Sequence, residues 1–371
     1  MSTKDQSCIC KQFKKLQPGE QINVRFKGSE PINITFLEFN RDSGCVTGVK
    51  SNGKMIIFNC NKVTSLSIGT FNKKRQMAYV TNTSDSTISI INTDTNKVME
   101  TVPGGQNPFG LAIESNGTRA YIPNISDNAV SVMNTETNTM ITKIPVEQNP
   151  AGIAITPSNK HAYVTNFESD NVSVIDTVKN SVIDTVKVGD APIEVAINKK
   201  GNLAYVTNFN SNTVSLIATE TNQVLDTITV GTKPIGIALS PDEETAYVAN
   251  SVDDTISVIN TSSKTVIDTI PVGSGPRLIA FTPNGKFAYV TNLEGKSVSV
   301  IDTKERAIIK TISVGNGPRG IAMTPDGSRA YVTNVDDGTV SVIRTRTNTV
   351  TDVIPVGNGP VGIAIGKMKI Q

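Results

Sequence analysis

Ala162-Tyr163-Val164-Thr165-Asn166 returns along the chain every 42 residues, with its tyrosine at Tyr79, Tyr121, Tyr163, Tyr205, Tyr247, Tyr289 and Tyr331 and no insertion or deletion in the six intervals. A strict period near forty residues marks a repeat architecture, in which each unit covers the apolar face of its neighbour. Within the third copy, Ala162 to Asn166 reads as one strand, Asn171 to Thr177 as a second, Ser181 to Val188 as a third and Ile193 to Ile197 as a fourth. These runs are rich in Val, Ile, Thr and Tyr, which suit a pleated, half-buried surface. Asn, Asp, Gly and Pro punctuate them and build turns. Helical periodicity is missing throughout. Four short strands per repeat, packed radially, make a propeller blade. The chain is therefore read as all-β: a seven-bladed β-propeller of 42-residue, four-stranded repeats, with a small N-terminal β-barrel.

Positions that stay the same in every copy have physical readings. Alanine precedes each tyrosine, and a second alanine recurs from Ala112 to Ala364, usually within Gly-Ile-Ala. Small residues belong where blades crowd the axis, so this strand is expected to be innermost. A proline opens it each time, from Pro108 to Pro360; it stiffens the entry and removes a donor. Serine recurs mid-strand from Ser89 to Ser341, where a small side chain is expected to permit close packing. Asparagine closes each Tyr strand and is expected to tie down the following turn.

Tyr-Val-Thr-Asn, then Thr-Val-Ser-Val-Ile-Asp-Thr, Ile-Pro-Val-Gly and Pro-x-Gly-Ile-Ala together resemble the YVTN β-propeller repeat family over roughly residues 67 to 371, most fully at Tyr163–Thr177 and Tyr331–Ile343. The departures are local: Pro123 and Ala249 replace Thr, and Glu194 and Leu278 replace Gly. The resemblance implies a ring; family members include surface-layer-like and periplasmic propellers, so it assigns no activity. WD40 repeats fit poorly, because the chain has no tryptophan.

Residues 1–17 read as a polar, cysteine-bearing arm or short helix with Phe13 and Leu16 as docking residues. Residues 18–68 read as five strands of a small barrel, whose pattern is similar to Sm-like or SH3-like domains. Residues 69–371 form the propeller. Residues 1–66 carry ten Lys/Arg against five Asp/Glu, and a solvated face is the favoured reading over RNA contact. All four cysteines, Cys8, Cys10, Cys45 and Cys60, precede the propeller. They can be buried small hydrophobes, disulfide or anchoring residues, or zinc ligands. Cys-x-Cys without the usual spacer disfavours zinc, and no metal or other cofactor is expected.

The chain ends with Pro360-Val361-Gly362-Ile363-Ala364-Ile365, a good copy of the inner strand, whereas Ile68-Gly69-Thr70-Phe71 is a poor one. Strand 360–366 is thus expected to close the ring beside Ala78–Asn82, removing open sheet edges. The residue after each repeated proline, Phe109, Ala151, Ile193, Ile235, Arg277, Arg319 or Val361, should ring one mouth of the channel. Glu194, Lys233, Arg277 and Arg319 form a candidate site there for a small acidic ligand, because arginine grips carboxylates as a fork.

The 35 basic and 33 acidic residues nearly cancel, which gives no mandate for nucleic acid or membrane partners. Met1–Lys15 shows no secretory h-region, and no apolar run spans a bilayer. The chain is expected to be soluble and synthesised in the cytoplasm, with deposition at a cell or spore surface. There is one histidine, His161, at a variable position, and no nucleophile-elbow or phosphate-loop motif. Asp253-Asp254 and Asp336-Asp337 lack the graded oxygen ligands of a calcium loop. The first expectation is therefore a non-enzymatic display or interaction scaffold in an envelope or spore-type assembly, with protein partners or self-assembly. The alternative is a lactonase-like or quinoprotein-like propeller enzyme working at the channel mouth. An RNA-associated protein acting through the small barrel comes third.

Overall fold

In the computed structural model, the described residues are 13, 16, 21–27, 29–30, 32–40, 45–50, 55–68 and 75–368. They divide into two compact units, Met1–Lys73 and Lys74–Lys369.

The first unit holds strands β1 (Gln21–Phe26), β2 (Ile32–Asn40), β3 (Cys45–Lys50), β4 (Met55–Asn59) and β5 (Val63–Ile68). They pair in the order β4-β3-β2-β1-β5. Alternation puts Ile22, Val24, Ile34, Phe36 and Val46 on one buried face. Phe13 and Leu16 are buried in the same core, and Phe13 stacks on Phe39 at 6.3 Å while meeting Phe58 edge-on at 6.0 Å. Cys45 begins β3, whereas Cys60 lies in a short 3-10 turn rather than a strand and is disulfide-bonded. Cys8 and Cys10 lie outside the described residues.

The second unit is seven four-stranded antiparallel sheets, a seven-bladed propeller. The structural blade is out of phase with the sequence copy by one strand. Blade 3 consists of Pro150–Ile155, His161–Asn166, Asn171–Asp176 and Ser181–Lys187, so its inner strand precedes its Tyr strand. The strand Ile193–Ile197, which follows, belongs to blade 4. Blade 1 takes its inner strand from the other end of the chain: Pro360–Met368 pairs with Arg75–Asn82. Blade 2 has the shortest inner strand, Ala112–Ile113. Its Tyr strand carries Pro123, which has no N–H to offer the ladder.

Each apolar cluster sits between two blades. Tyr121, Val130 and Val132 of blade 2 pack on Ala162, Val164 and Ile175 of blade 3. Alanine before tyrosine thus keeps a blade's face thin enough for the tyrosine of the preceding blade to lie on it. Three polar ties recur. The tyrosine hydroxyl donates to a carbonyl of the following blade, as Tyr163 does to Thr219 at 3.2 Å. The closing asparagine donates to the mid-strand serine of its own blade, Asn166 Nδ2 to Ser173 Oγ at 2.9 Å. The serine is therefore a hydrogen-bond partner as well as a small residue. The threonine of Tyr-Val-Thr-Asn donates to the post-proline carbonyl of the next blade, Thr207 to Ile235 at 2.7 Å. No helix among the described residues is long and apolar enough to cross a membrane.

Candidate functional site

A proline sets φ and admits the chain to each inner strand, and in six of the seven blades the residue behind it lines the axial cavity. Phe109, Ile193, Glu194, Ile235, Arg277, Leu278, Arg319 and Val361 line one small cavity of about 30 Å³. They come from blades 2, 4, 5, 6, 7 and 1, which puts the cavity on the channel axis.

The next position is glycine in five blades because the adjacent blade leaves no room. A Cβ on Gly236 would stand 2.2 Å from the Arg277 carbonyl oxygen, and one on Gly362 would stand 2.3 Å from that of Phe109. Glu194 departs from this rule without a change of register: Val195 pairs with Val206 as Ile153 pairs with Val164, and Glu194 adds one pair, with Thr207, that the other full-length inner strands lack. The Glu194 amide N–H meets Thr207 Oγ1 at 3.1 Å, and Glu194 Oε1 accepts the Val195 N–H at 3.2 Å. Gly152, in the neighbouring blade, leaves the space for that carboxylate: a Cβ there would lie 3.0 Å from Glu194 Oε1.

Burial dominates the electrostatics. Glu194 is half-buried, and desolvation pushes its carboxyl up to about 7 against the opposing pull of the Val195 amide and Arg319. Arg319 is drawn down to about 10, first by desolvation and then by repulsion from Arg277, while Glu194 works the other way. The Arg319 guanidinium lies over the Phe109 ring, 4.3 Å from its centre. Arg277 bonds Glu294 at 3.2 Å through Nη2, while its Nε is buried and has no hydrogen-bond partner. Among the described residues, no ion pair joins Glu194 to either arginine within 4 Å.

Glu194, Arg277 and Arg319 therefore converge on one cavity, and Lys233 does not. Its ammonium sits 4.7 Å over the Phe209 ring and donates to Asn210 Oδ1 at 2.7 Å, outside the cavity lining. Sequence reasoning placed Phe109 on the mouth but did not assign it to the site; its aromatic ring in a largely aliphatic circle was the available signal. His161 opens the Tyr strand of blade 3 at the end opposite Asn166, which pairs with Pro150 at the mouth side, so it is remote from this cavity. The paired aspartates are loop clamps. Asp253 accepts the Thr232 N–H at 2.6 Å and Asp337 accepts that of Asn316 at 2.7 Å. Among the described residues, no group of three or more His, Cys, Asp or Glu side chains could hold a metal ion.

Comparison with known proteins adds to this geometry. The family model described as Lactonase, 7-bladed beta-propeller, matches residues 68–229. A YNCE-like beta-propeller model matches residues 247–329. A search of curated proteins found no match. Among solved structures, Kuenenia stuttgartiensis hydrazine synthase is similar at TM-score 0.64 and 22% identity, covering 69% of this chain and 88% of that one. A functionally unknown protein from Desulfotomaculum acetoxidans is similar at TM-score 0.71 and 19% identity, covering 79% and 99%. A protein from Bacteroides uniformis assigned as a 6-phosphogluconolactonase is similar at TM-score 0.68 and 16% identity, covering 79% and 100%. Identities this low carry the fold alone. The match of residues 68–229 to the lactonase family model overturns the expectation of a non-enzymatic display scaffold. The display reading misjudged the chain because it sought catalytic motifs in local sequence, and this site is assembled from separate blades.

Proposed function

We propose that the protein is a propeller hydrolase that opens a lactone at the channel mouth. The observation that carries this reading is Glu194, a half-buried carboxyl pushed up to about 7 by desolvation, which stands beside Arg319 where the other copies have mostly glycine. A general base is most effective when its pKa lies near the working pH. Its carboxylate takes a proton from a water molecule as that oxygen bonds to the lactone carbonyl carbon. The tetrahedral intermediate collapses with cleavage of the ring C–O bond. Glu194 then returns the proton to the leaving oxygen, and the product is a hydroxy acid. A guanidinium of the Arg277/Arg319 pair stabilises the oxyanion, a contribution that grows where water is sparse. The match of residues 68–229 to the lactonase family supports this class of reaction.

The test is acid release by the full chain from a panel of five- and six-membered lactones, read by pH-stat. Wild-type turnover should rise as pH passes about 7, and Glu194→Gln should lower kcat by about 10²-fold or more. Absence of turnover across the panel, or a Glu194→Gln rate equal to wild type, overturns the reading.

A further inference from the structure

We infer that the channel mouth encloses a nucleophile no larger than water, and that Leu278 sets this limit, so that the protein hydrolyses its lactone and does not transfer it to alcohols. The water site stands on the geometry alone; the choice of reaction rests on the reading of the site as a lactonase.

The walls of the cavity lead there. At the second position after the repeated proline, five blades carry glycine and present bare backbone, while blade 4 carries Glu194 and blade 6 carries Leu278. These two side chains alone add bulk at that position. Leu278 is a fixed wall. Its amide N–H donates to Thr291 Oγ1 at 3.0 Å, and its side chain packs against the apolar cluster of Tyr289, Val298 and Ile321. The neighbouring blade crowds it from the other side, since a Cβ on Gly236 would stand 3.0 Å from Leu278 Cα. The space left is about 30 Å³. A water needs about 10–15 Å³ of such space, so there is room for water and none for a longer chain.

An enclosed water also needs several polar partners, and the lining supplies them. Glu194 holds the Val195 N–H through Oε1, which leaves Oε2 to accept from the water. Arg277 Nε is a buried donor without an acceptor among the described residues, and Arg319 borders the same space. A lactone ring is larger than the whole cavity, so it rests at the mouth with its carbonyl carbon facing the enclosed water. An alcohol in the water's place would yield a hydroxy ester. Its oxygen would bond to the carbonyl carbon, the ring C–O bond would break, and the hydroxyl proton would pass through Glu194 to the leaving oxygen. The leucine wall prevents this by leaving no place for the alkyl chain. A single surplus methylene in an apolar pocket costs about 10–200-fold in selectivity.

The experiment is lactone opening by the full chain with propan-1-ol added, the hydroxy acid and the propyl hydroxy ester being separated by chromatography. Wild type should form acid and no ester above the uncatalysed background. Leu278→Gly, which installs the residue that five blades already carry, removes a group about the size of the propyl chain and should raise the ester-to-acid ratio about tenfold or more. Leu278→Ala should raise it less, and Leu278→Met, which keeps the volume, should match wild type. A loss of stability alone lowers both products together, so their ratio reports space and not folding. Crystals of the full chain soaked in propan-1-ol give a second reading. Wild type should show an ordered water about 3 Å from the Glu194 carboxylate and Arg277 Nε, and the alcohol should enter only Leu278→Gly. Ester formed by wild type, a ratio unmoved in Leu278→Gly, or a cavity without ordered water overturns the inference. Absence of any lactone opening sinks the hydrolase reading alone, while the crystals still decide whether the cavity admits water and refuses the alcohol.

Discussion

The guanidinium carbon of Arg319 lies 4.3 Å from the centre of the Phe109 ring, although one side chain comes from blade 7 and the other from the entry to blade 2, with blade 1 between them. The arginine thus reaches across part of the channel and rests on an aromatic platform. Phe109→Leu should remove the platform while filling most of its volume. A cation–π contact is worth about 0.5–2 kcal/mol, more when desolvated. The expected outcome is a kcat lowered about three- to tenfold for a lactone substrate, read by steady-state kinetics, because Arg319 belongs to the pair that stabilises the oxyanion. A kcat equal to wild type would show that Phe109 does not position Arg319.

Glu194 should destabilise the protein at alkaline pH. Burial holds its carboxyl at about 7 in the folded chain, above the ordinary carboxyl value of 4.5, so the protonated form is the one the fold prefers. The stability contributed by that proton is fully present below about pH 4.5 and is lost as pH rises through about 7. The loss reaches about 3 kcal/mol at most. Glu194→Gln, neutral at every pH, should melt above wild type at pH 8 and near it at pH 4. Equal melting temperatures at pH 8 would show that the carboxylate is well solvated there.

Gly152→Ala tests the space reserved for that carboxylate. Its new Cβ would stand 2.5 Å from the Ile193 carbonyl oxygen and 2.8 Å from Glu194 Cα, both backbone atoms that cannot step aside cheaply. Overpacking of this kind costs about 1–3 kcal/mol. A lowered melting temperature should accompany weakened turnover, whereas an unaltered variant would mean that the inner strands can spread.

The threonine ties between blades can be read from their absences. Thr207 bonds the Ile235 carbonyl and Thr291 bonds that of Arg319, both at 2.7 Å. Ala249 occupies the equivalent place opposite Arg277 and has no hydroxyl. Thr207→Ala should cost about 1 kcal/mol, and Ala249→Thr should gain about 0.5–1 kcal/mol by supplying the missing bond. Urea unfolding of the two variants checks both signs, and a destabilised Ala249→Thr would show that blade 5 has no room for the added atoms.

Ring closure joins the ends of the propeller. Pro360–Met368 completes blade 1, and Tyr331 of blade 7 donates to Asn96 Oδ1 of blade 1 at 2.6 Å. Removing residues 360 to 371 would expose the apolar cluster of Ala78, Val80 and Ile91 with Tyr331, Val340 and Val342, which Ile363 and Ile365 cover. Burial of a few aliphatic side chains makes the loss on the order of 5 kcal/mol. A truncated chain that melts like the full one would refute this account of the seam.

Much of the ring was legible from one repeated pentapeptide, because each residue in it does the same work in every blade. Tyrosine ties to the next blade, alanine admits the previous one, and asparagine holds serine. The blade phase was less legible. A 42-residue copy can be cut anywhere, and only pairing shows that the inner strand before the tyrosine belongs with it. The site was half legible. Glu194, Arg277 and Arg319 stood out as departures from a repeat, since a break in seven-fold regularity is visible without coordinates. Lys233 was grouped with them but precedes the repeated proline instead of following it, so it stands in the loop before the inner strand, with its ammonium over Phe209.

Taken alone, the sequence determined the number of blades, the strand types, the residues that crowd the axis and the chain end that closes the ring. All of these follow from residue size, turn chemistry and a fixed period, which act locally and identically in each copy. Only the tertiary structure decided which departures meet. Closure of the ring brings Phe109, Glu194, Arg277 and Arg319 to one cavity from positions up to 210 residues apart. It also decided their chemistry, since the titration of Glu194 depends on how much water the neighbouring blades exclude, and no local run of residues encodes that.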